Sequence, residues 1–489
     1  MSRILFVLFA FGLILGAFFG VTAGGYVLGA LADAHWFQGA HRLVMVLILL
    51  LVFVMVIATL LTAAERKWSA LMQNRIGPNR AKIFGSPLAG LGHTIADVVK
   101  MLTKEDFIPS AANKGLFILA PMLAFGSAFA LFAVVPAGPS IELMGNTIDM
   151  VAATPDFGVL YVFAIASIAV YGTALAGWSS NNKFGLLGGV RASAQMVSYE
   201  VSLGMSLVGM MMIFSTVQLP VMVGETFGQG QFQYIWGNDA AMGTGTGFDF
   251  GLPAWGIFMQ PLGFILFFVA SLAETKRAPF DVPEGESEII GYFVEYSGMK
   301  FGLFMISEFV EIVVLSGLLV VLFLGGYHLP FGEVWLRSLP VMQEHTWLFG
   351  ALLGTVFWVK VLALILVQLL IRWSAIRFRY DQLQSLGWKT MLPLALGNVF
   401  VTGALVLWDP SLRWLTVVGL VFLFALLVLT ITHAPSDDED EAHDEGHGHH
   451  DHGHTSPSLH GGSAHALPSA HGADDTLEAA ARTAASISH

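Results

Sequence analysis

Hydrophobic positions along this 489-residue chain follow neither the alternation of a half-buried strand nor the narrow stripe of a soluble amphipathic helix. They come as solid apolar blocks, at roughly 4–31, 43–64, 115–135, 157–178, 192–214, 253–272, 302–323, 347–371, 391–408 and 412–432. About twenty helical residues cross the ~30 Å hydrocarbon core of a bilayer. A helix is also the form that satisfies every backbone polar group within one segment, as lipid demands. The pattern predicts an all-α, polytopic membrane helix bundle of about ten transmembrane helices. The first block, preceded by Arg3, shares features with a secretory signal peptide. It is nearly twice as long as the ~7–15 apolar residues of a cleavable one, and reads as a retained helix.

The polar positions between blocks set orientation. With alternate loops on opposite sides, one side takes nineteen Lys and Arg, the other only Arg42, Arg337 and Arg413, and Lys360 lies within a block. Cytoplasmic loops carry the cationic excess, so both termini and the long loops 65–114 and 273–301 are expected in the cytoplasm. The opposite loops, 136–156 and 215–252, are rich in Gly, Pro and Thr and read as irregular connectors. In 65–114, Gly77-Pro78 marks a turn flanked by Arg75 and Arg80. Leu88, Leu91, Ile95, Val98 or Val99 and Leu102 then recur at three- and four-residue steps. They predict an amphipathic helix carrying His93, Asp97, Lys100 and Lys104 on its other sides. Such a helix either lies on lipid headgroups or walls an opening for a lipid-soluble substrate, and the pattern leaves both readings open. No internal repeat is visible, which argues against a transporter built from inverted repeats.

Composition agrees with lipid as the solvent. Hydrophobic residues make up 55% and charged residues 12%, about half of the ~25% charged share of soluble domains. The net charge of −12 is uneven: residues 434–489 hold eleven acids and one Arg, and the remainder is nearly neutral. That tail also holds ten of the sixteen histidines and too few apolar residues for a core, so it reads as disordered. Histidine tracts bind transition metals weakly, but a solvated tail is the plainer reading and no metal site is assigned. The absence of cysteine excludes disulfides, thiolate catalysis and iron–sulfur clusters ligated by this chain. Any redox centre must then be carried by a partner.

Ionisable groups within apolar blocks are costly and tend to mark function. Glu200 lies in 192–214, Glu308 and Glu311 in 302–323, and Lys360 in 347–371. They either pair with one another and fix helix packing or pass protons as a relay. The densest polar segment is AETKRAPFDVPEGESEIIGYFVEYSGMKFG, 273–302, with Glu274, Asp281, Glu284, Glu286, Glu288 and Glu295. Pro279 and Pro283 force a non-helical exit from the preceding block. Pro283 followed by acids is a helix-start pattern. If helical, Glu284, Glu288 and Glu295 share one face with Tyr292 beside them. A solvated acidic loop is the simpler account. The interleaved Ile289, Ile290, Phe293 and Val294 favour a half-buried funnel instead.

Five segments carry a family resemblance: ERKWSALMQNRIGPNR, KMLTKEDFIP, AGWSSNNKFGLLGGVRASAQMVSYE, RAPFDVPEGESE and EYSGMKFGLF. Through them the chain resembles the H-type membrane subunit of respiratory complex I, the NADH–quinone oxidoreductase, over about 43–408. The resemblance implies an eight-helix core at 43–408, flanked by an additional transmembrane helix in 1–42, another in 409–433, and the tail 434–489. It implies a subunit that acts only in the assembled enzyme, without a cofactor of its own. Quinone is its substrate, and NADH, FMN and iron–sulfur clusters belong to partner subunits. Those partners are the peripheral-arm subunits at the quinone site and the antiporter-like subunits of the membrane arm, in a bacterial inner membrane and without nucleic acid. The loops 65–114 and 273–301 then form the quinone chamber, with Arg66, Arg75, Arg80, Phe280 and Asp281 on its wall. Glu284, Glu286 and Glu288 border the chamber and, with Glu200, Glu295 and Glu308, couple quinone reduction to proton translocation. Glu288 and Glu295 stand seven residues apart where the family implies eight, a shift of about 100° on a helix. A related hydrogenase subunit, a stand-alone cation/proton antiporter and a structural anchor are the rival readings. The elaborated quinone loops, the lack of repeats and the buried acids, respectively, argue against them.

Overall fold

The computed structural model describes residues 2–37, 39–81, 90, 92–225, 228–236, 252–283, 285 and 291–432. The chain divides into two units, Met1–Val428 and Leu429–His489. The second is described over 429–432 alone, where it is helical.

Among the described residues fifteen helices follow in order: α1 Ser2–His35, α2 His41–Met72, α3 Gly92–Thr103, α4 Lys114–Phe132, α5 Gly158–Ser179, α6 Lys183–Phe214, α7 Leu219–Val223, α8 Gly256–Met259, α9 Pro261–Glu274, α10 Gly298–Phe323, α11 Glu333–Ser338, α12 Pro340–Glu344, α13 Thr346–Ser374, α14 Tyr380–Trp408 and α15 Arg413–Thr432. Among the described residues nine are long and apolar enough to cross a membrane. The tenth expected span, 253–272, is instead a broken helix. Its single turn α8 ends at Gln260 (φ −133°, ψ 53°), and α9 restarts with Pro261 at its first position. Proline has no N–H to continue the ladder, which places the break there.

α10 is the axis of the bundle. Nearly all of its side chains from Ser307 to Phe323 are buried, and α2, α4 and α13 pack around it. A helix enclosed all round needs apolar residues on every face, and Phe309 to Phe323 supplies them apart from Glu311 and Ser316. The outer helices bury one face and turn Leu, Val and Phe outward, as lipid contact requires. The α5–α6 pair packs backbone to backbone: a Cβ on Gly177 would stand 2.5 Å from the Gly185 carbonyl. α1 is tied in by Tyr26, whose hydroxyl donates to the Pro139 carbonyl (2.7 Å), and by a Phe18–Phe53–Trp358 stack.

The loop 136–156 is more regular than expected. β1 Ile141–Leu143 pairs antiparallel with β2 Asn146–Ile148 across Met144 (φ 55°) and Gly145 (φ 82°). Positive φ at both central residues matches the right-handed twist of a hairpin. A second short pair joins β3 Tyr234–Trp236 to β4 Leu252–Pro253.

Candidate functional site

α9 ends at Glu274, and the chain turns at once through Lys276, held at φ 54°. That turn folds Lys276 and Arg277 back into the bundle, where both are buried. A long cation is not left there uncompensated. Arg277 reaches Glu65 near the end of α2 and lies 3.7 Å from Glu308 on α10, with its guanidinium 4.0 Å from the Phe309 ring centre. Glu65 shares the same carboxylate oxygen with Arg372 of α13 (2.6 Å). Lys276 Nζ lies 3.5 Å from the Tyr292 hydroxyl, which donates to Glu308 (3.3 Å). Arg377 pairs with Asp281 at 2.7 Å.

These groups surround a cavity of about 540 Å³. Three acids (Glu65, Asp281, Glu308) and four bases (Lys276, Arg277, Arg372, Arg377) line it, together with Phe293, Phe301, Met305 and Phe309. Burial raises the Asp281 carboxyl from its usual 3.8 to about 6, although Arg377 pulls the other way. One of its oxygens is buried without a hydrogen-bond partner among the described residues. Behind the cavity the acids continue inward. Glu311, one turn along from Glu308, is buried with an oxygen likewise unpartnered. Glu274 lies within electrostatic reach of Glu311, Glu200 and Lys276. Glu200 itself accepts from the Ser167 hydroxyl at 2.5 Å. A 540 Å³ cavity lies in the range of small-molecule sites, and its coupled carboxylates can exchange charge with whatever enters.

Of the residues expected from sequence, Asp281 and Glu308 line the cavity. Phe280 is buried beside it, stacked on Phe378 (5.4 Å), its carbonyl accepting from Gln195 (2.9 Å). Arg66 pairs with Asp97 on α3 (2.6 Å), Arg75 bonds Gln73, and Arg80 is exposed, so these three do not line it. Glu284, Glu286 and Glu288 lie outside the described residues. Glu295 corrects an expectation: residues 291–297 are non-helical between Gly291 (φ 135°) and Gly298 (φ 57°), so no helical face carries it. Its carboxylate instead accepts from Asn182 Nδ2 at 2.6 Å. The neighbouring Tyr296 stacks on Phe117 (3.9 Å), and burial pushes its hydroxyl up to about 12.

Among the described residues Lys360 bonds backbone carbonyls and no glutamate. Its Nζ donates to three carbonyls, Leu324 (2.7 Å), Gly326 (2.9 Å) and His328 (2.6 Å), just past the end of α10. All three donors of an ammonium are used, and the negative end of the α10 dipole lies there. Beside it, His328 meets the Glu333 carboxylate at 3.0 Å through Nδ1 and the Gly224 carbonyl at 2.7 Å through Nε2. On α3, Ile95, Val98, Val99 and Leu102 are exposed, while His93 accepts from the backbone N–H groups of Arg80 and Ala81 (3.2 Å each). Sequence reasoning missed Glu65, Lys276, Arg277, Arg372 and Arg377 as cavity groups. In the sequence those cations mark only orientation.

Fold and cavity thus define a polytopic helical membrane protein with a charged, partly apolar chamber at one end of a buried central helix. A family model described as NADH dehydrogenase matches residues 44–403. The chain is 42% identical over 354 residues to the first H-type NADH-quinone oxidoreductase subunit of Cytophaga hutchinsonii, covering 72% of this chain and 93% of that one. It is 41% identical over 375 residues to the second such subunit of Syntrophobacter fumaroxidans, covering 76% and 98%. It is also 42% identical over 381 residues to the second such subunit of Geobacter metallireducens, covering 75% and 96%. The chain belongs to the family of H-type NADH-quinone oxidoreductase subunits, whose members are membrane components of an oxidoreductase complex.

Proposed function

We propose that the cavity receives the headgroup of a membrane quinone and that this chain couples its reduction to proton translocation within a bacterial-inner-membrane NADH:quinone oxidoreductase. The observation that carries the reading is the continuity of the ionisable groups. Asp281, Glu308 and Glu65 face the cavity, and Glu311, Glu274 and Glu200 extend the series into the membrane layer.

A quinone taking two electrons must take two protons or leave negative charge in a low-dielectric pocket. Arg277, Arg372 and Arg377 stabilise that charge electrostatically. Asp281, raised to about 6, changes protonation close to neutral pH and suits proton delivery at the mouth. Loss of a negative charge at Glu308 alters the balance at Glu311 and Glu274. Phe293, Phe301 and Met305 give the apolar contact that a ring and isoprenoid tail need. The exposed apolar stripe of α3 supports the lipid-side entrance, and the iron–sulfur, flavin and NADH sites belong to partner subunits. Both termini face the cytoplasm in this reading.

Glu65→Gln in the assembled, reconstituted enzyme tests it. It removes the anion that Arg277 and Arg372 share. NADH:quinone reductase activity is expected to fall at least tenfold, while reduction of a soluble acceptor by the hydrophilic arm stays within twofold. Quinone reduction at the parent rate would overturn the assignment of this cavity.

A further inference from the structure

The break between α8 and α9 leaves a gap in the bundle, and α15 closes it. A Cβ on Gly419 would collide with the Phe258 carbonyl, so α15 meets the broken helix backbone to backbone. Between them lies another cavity, of about 300 Å³, walled by Pro261 and Leu262, by Gly397 and Val401 of α14, and by Val418 and Phe422 of α15. Its volume is at the lower end of ligand pockets.

Polar groups form its floor and bond to one another. Gln260 Nε2 donates to Thr402 Oγ1 (2.5 Å), Asn398 Nδ2 donates to Gln260 Oε1 (2.6 Å), and Thr402 Oγ1 donates to the Asn398 carbonyl (2.7 Å). Gln260 and Thr402 are each 1% exposed. With these side chains bonded to one another, the space above them is bounded by hydrocarbon. Apart from this floor the lining is mostly apolar, Pro261, Leu262, Leu394, Val401, Leu415, Val418 and Phe422, and an alkyl chain needs no hydrogen bond from it.

Depth identifies the occupant. Trp408 and Trp414, stacked 6.0 Å apart and both exposed, mark the membrane–water edge, where amphipathic rings settle. Thr402 and Asn398 lie six and ten residues before Trp408 on the same helix, about 9 and 15 Å deeper at ~1.5 Å per residue. Val401, Val418 and Leu394 line the cavity and are exposed, so it opens sideways at bilayer depth. Arg413, exposed on the first turn of α15, stands at headgroup level. α15 also lies beyond 44–403, so this wall is an addition to the matched family core.

We propose that the cavity is a fixed binding site for one acyl chain of a phospholipid from the leaflet on the side of the 409–412 turn. α15 converts a lipid-facing defect of the core into an enclosed groove, and the occupying chain fills a void that would otherwise forfeit dispersion contacts.

Gly397 supplies the test, because a Cβ there meets nothing within 4 Å and a larger side chain can grow into the cavity. The holoenzyme is reconstituted in phosphatidylcholine vesicles containing a lipid with a diazirine midway along one acyl chain, and photolabelled peptides are mapped. Residues 393–402 and 415–422 are expected to label, and Gly397→Leu to lower that labelling at least fivefold. Labelling at Leu366, a lipid-exposed position on α13, should stay constant. Gly397→Ala leaves most of the volume and should label like the parent. Val401→Phe serves if the leucine variant fails to assemble. Equal labelling of 415–422 in parent and filled variant overturns the proposal. So does labelling there by a diazirine-tailed isoprenoid quinone but not by the phospholipid.

Discussion

Arg277 lies in a segment that, as sequence, reads as a cytoplasmic exit crowded with charge, yet its guanidinium is buried among Glu65, Glu308 and the ring of Phe309. Removing one member of a buried charge cluster leaves the others desolvated, and typically costs about 3–5 kcal/mol. Arg277→Met is therefore expected to lower the thermal midpoint of the purified complex by several degrees and to abolish most quinone reductase activity. A midpoint and activity equal to the parent would show that the cluster is not cohesive. Asp281 carries a pH dependence whose sign is fixed. Its carboxyl is raised from 3.8 to about 6 by burial, so the folded state holds the proton more tightly than the unfolded chain. The cost is absent below about pH 4, grows as pH rises, and is complete above about pH 6. Asp281→Asn should remove that decline, seen as a flatter thermal midpoint between about pH 4 and about pH 7. At this scale the sequence identified Glu308 and Asp281 by their context, but not their partners. Which cation meets which acid depends on helix ends far apart in the chain, such as Glu65 and Arg372.

Among the elements, the tight seats of glycines decide whether the cluster assembles. A Cβ on Gly188 of α6 would stand 2.8 Å from the Tyr292 nitrogen and 2.9 Å from the Gly291 carbonyl carbon. Both atoms belong to the Gly291–Tyr292 peptide, so backbone rather than a flexible side-chain end would have to yield. Gly188→Ala should push Tyr292 away from Glu308 and Lys276, lowering quinone reductase activity at least fivefold in complex that still assembles. Parent activity in that variant would mean Tyr292 has no part in the site. Helix existence was largely legible from the apolar blocks, while two details were not. Pro261 interrupts the 253–272 block, but the flanking residues are as apolar as a continuous span and hide the break. The helix expected from Pro283 through Glu295 does not reach 291–297. Gly291 and Gly298, both at positive φ, bend that segment instead.

For the whole molecule, lipid blurs inside and outside. The 302–323 block is enclosed and the 412–432 block is largely exposed, yet both are almost wholly apolar. A bilayer is as hydrophobic as leucine, so composition announces the span without saying what it touches. The net charge of −12 reduces in the same way to an acidic tail and a nearly neutral core. Ending the chain at Pro435 should leave quinone reductase activity of the assembled complex within twofold, and a larger loss would give the tail a role in the core reaction. The central claim is that one electrostatically connected set of acids joins the cavity to the membrane interior. Its most direct test is the ratio of protons translocated to quinone reduced in proteoliposomes containing Glu308→Gln. A ratio below half that of the parent is expected, at whatever rate quinone reduction retains. An unchanged ratio would contradict it.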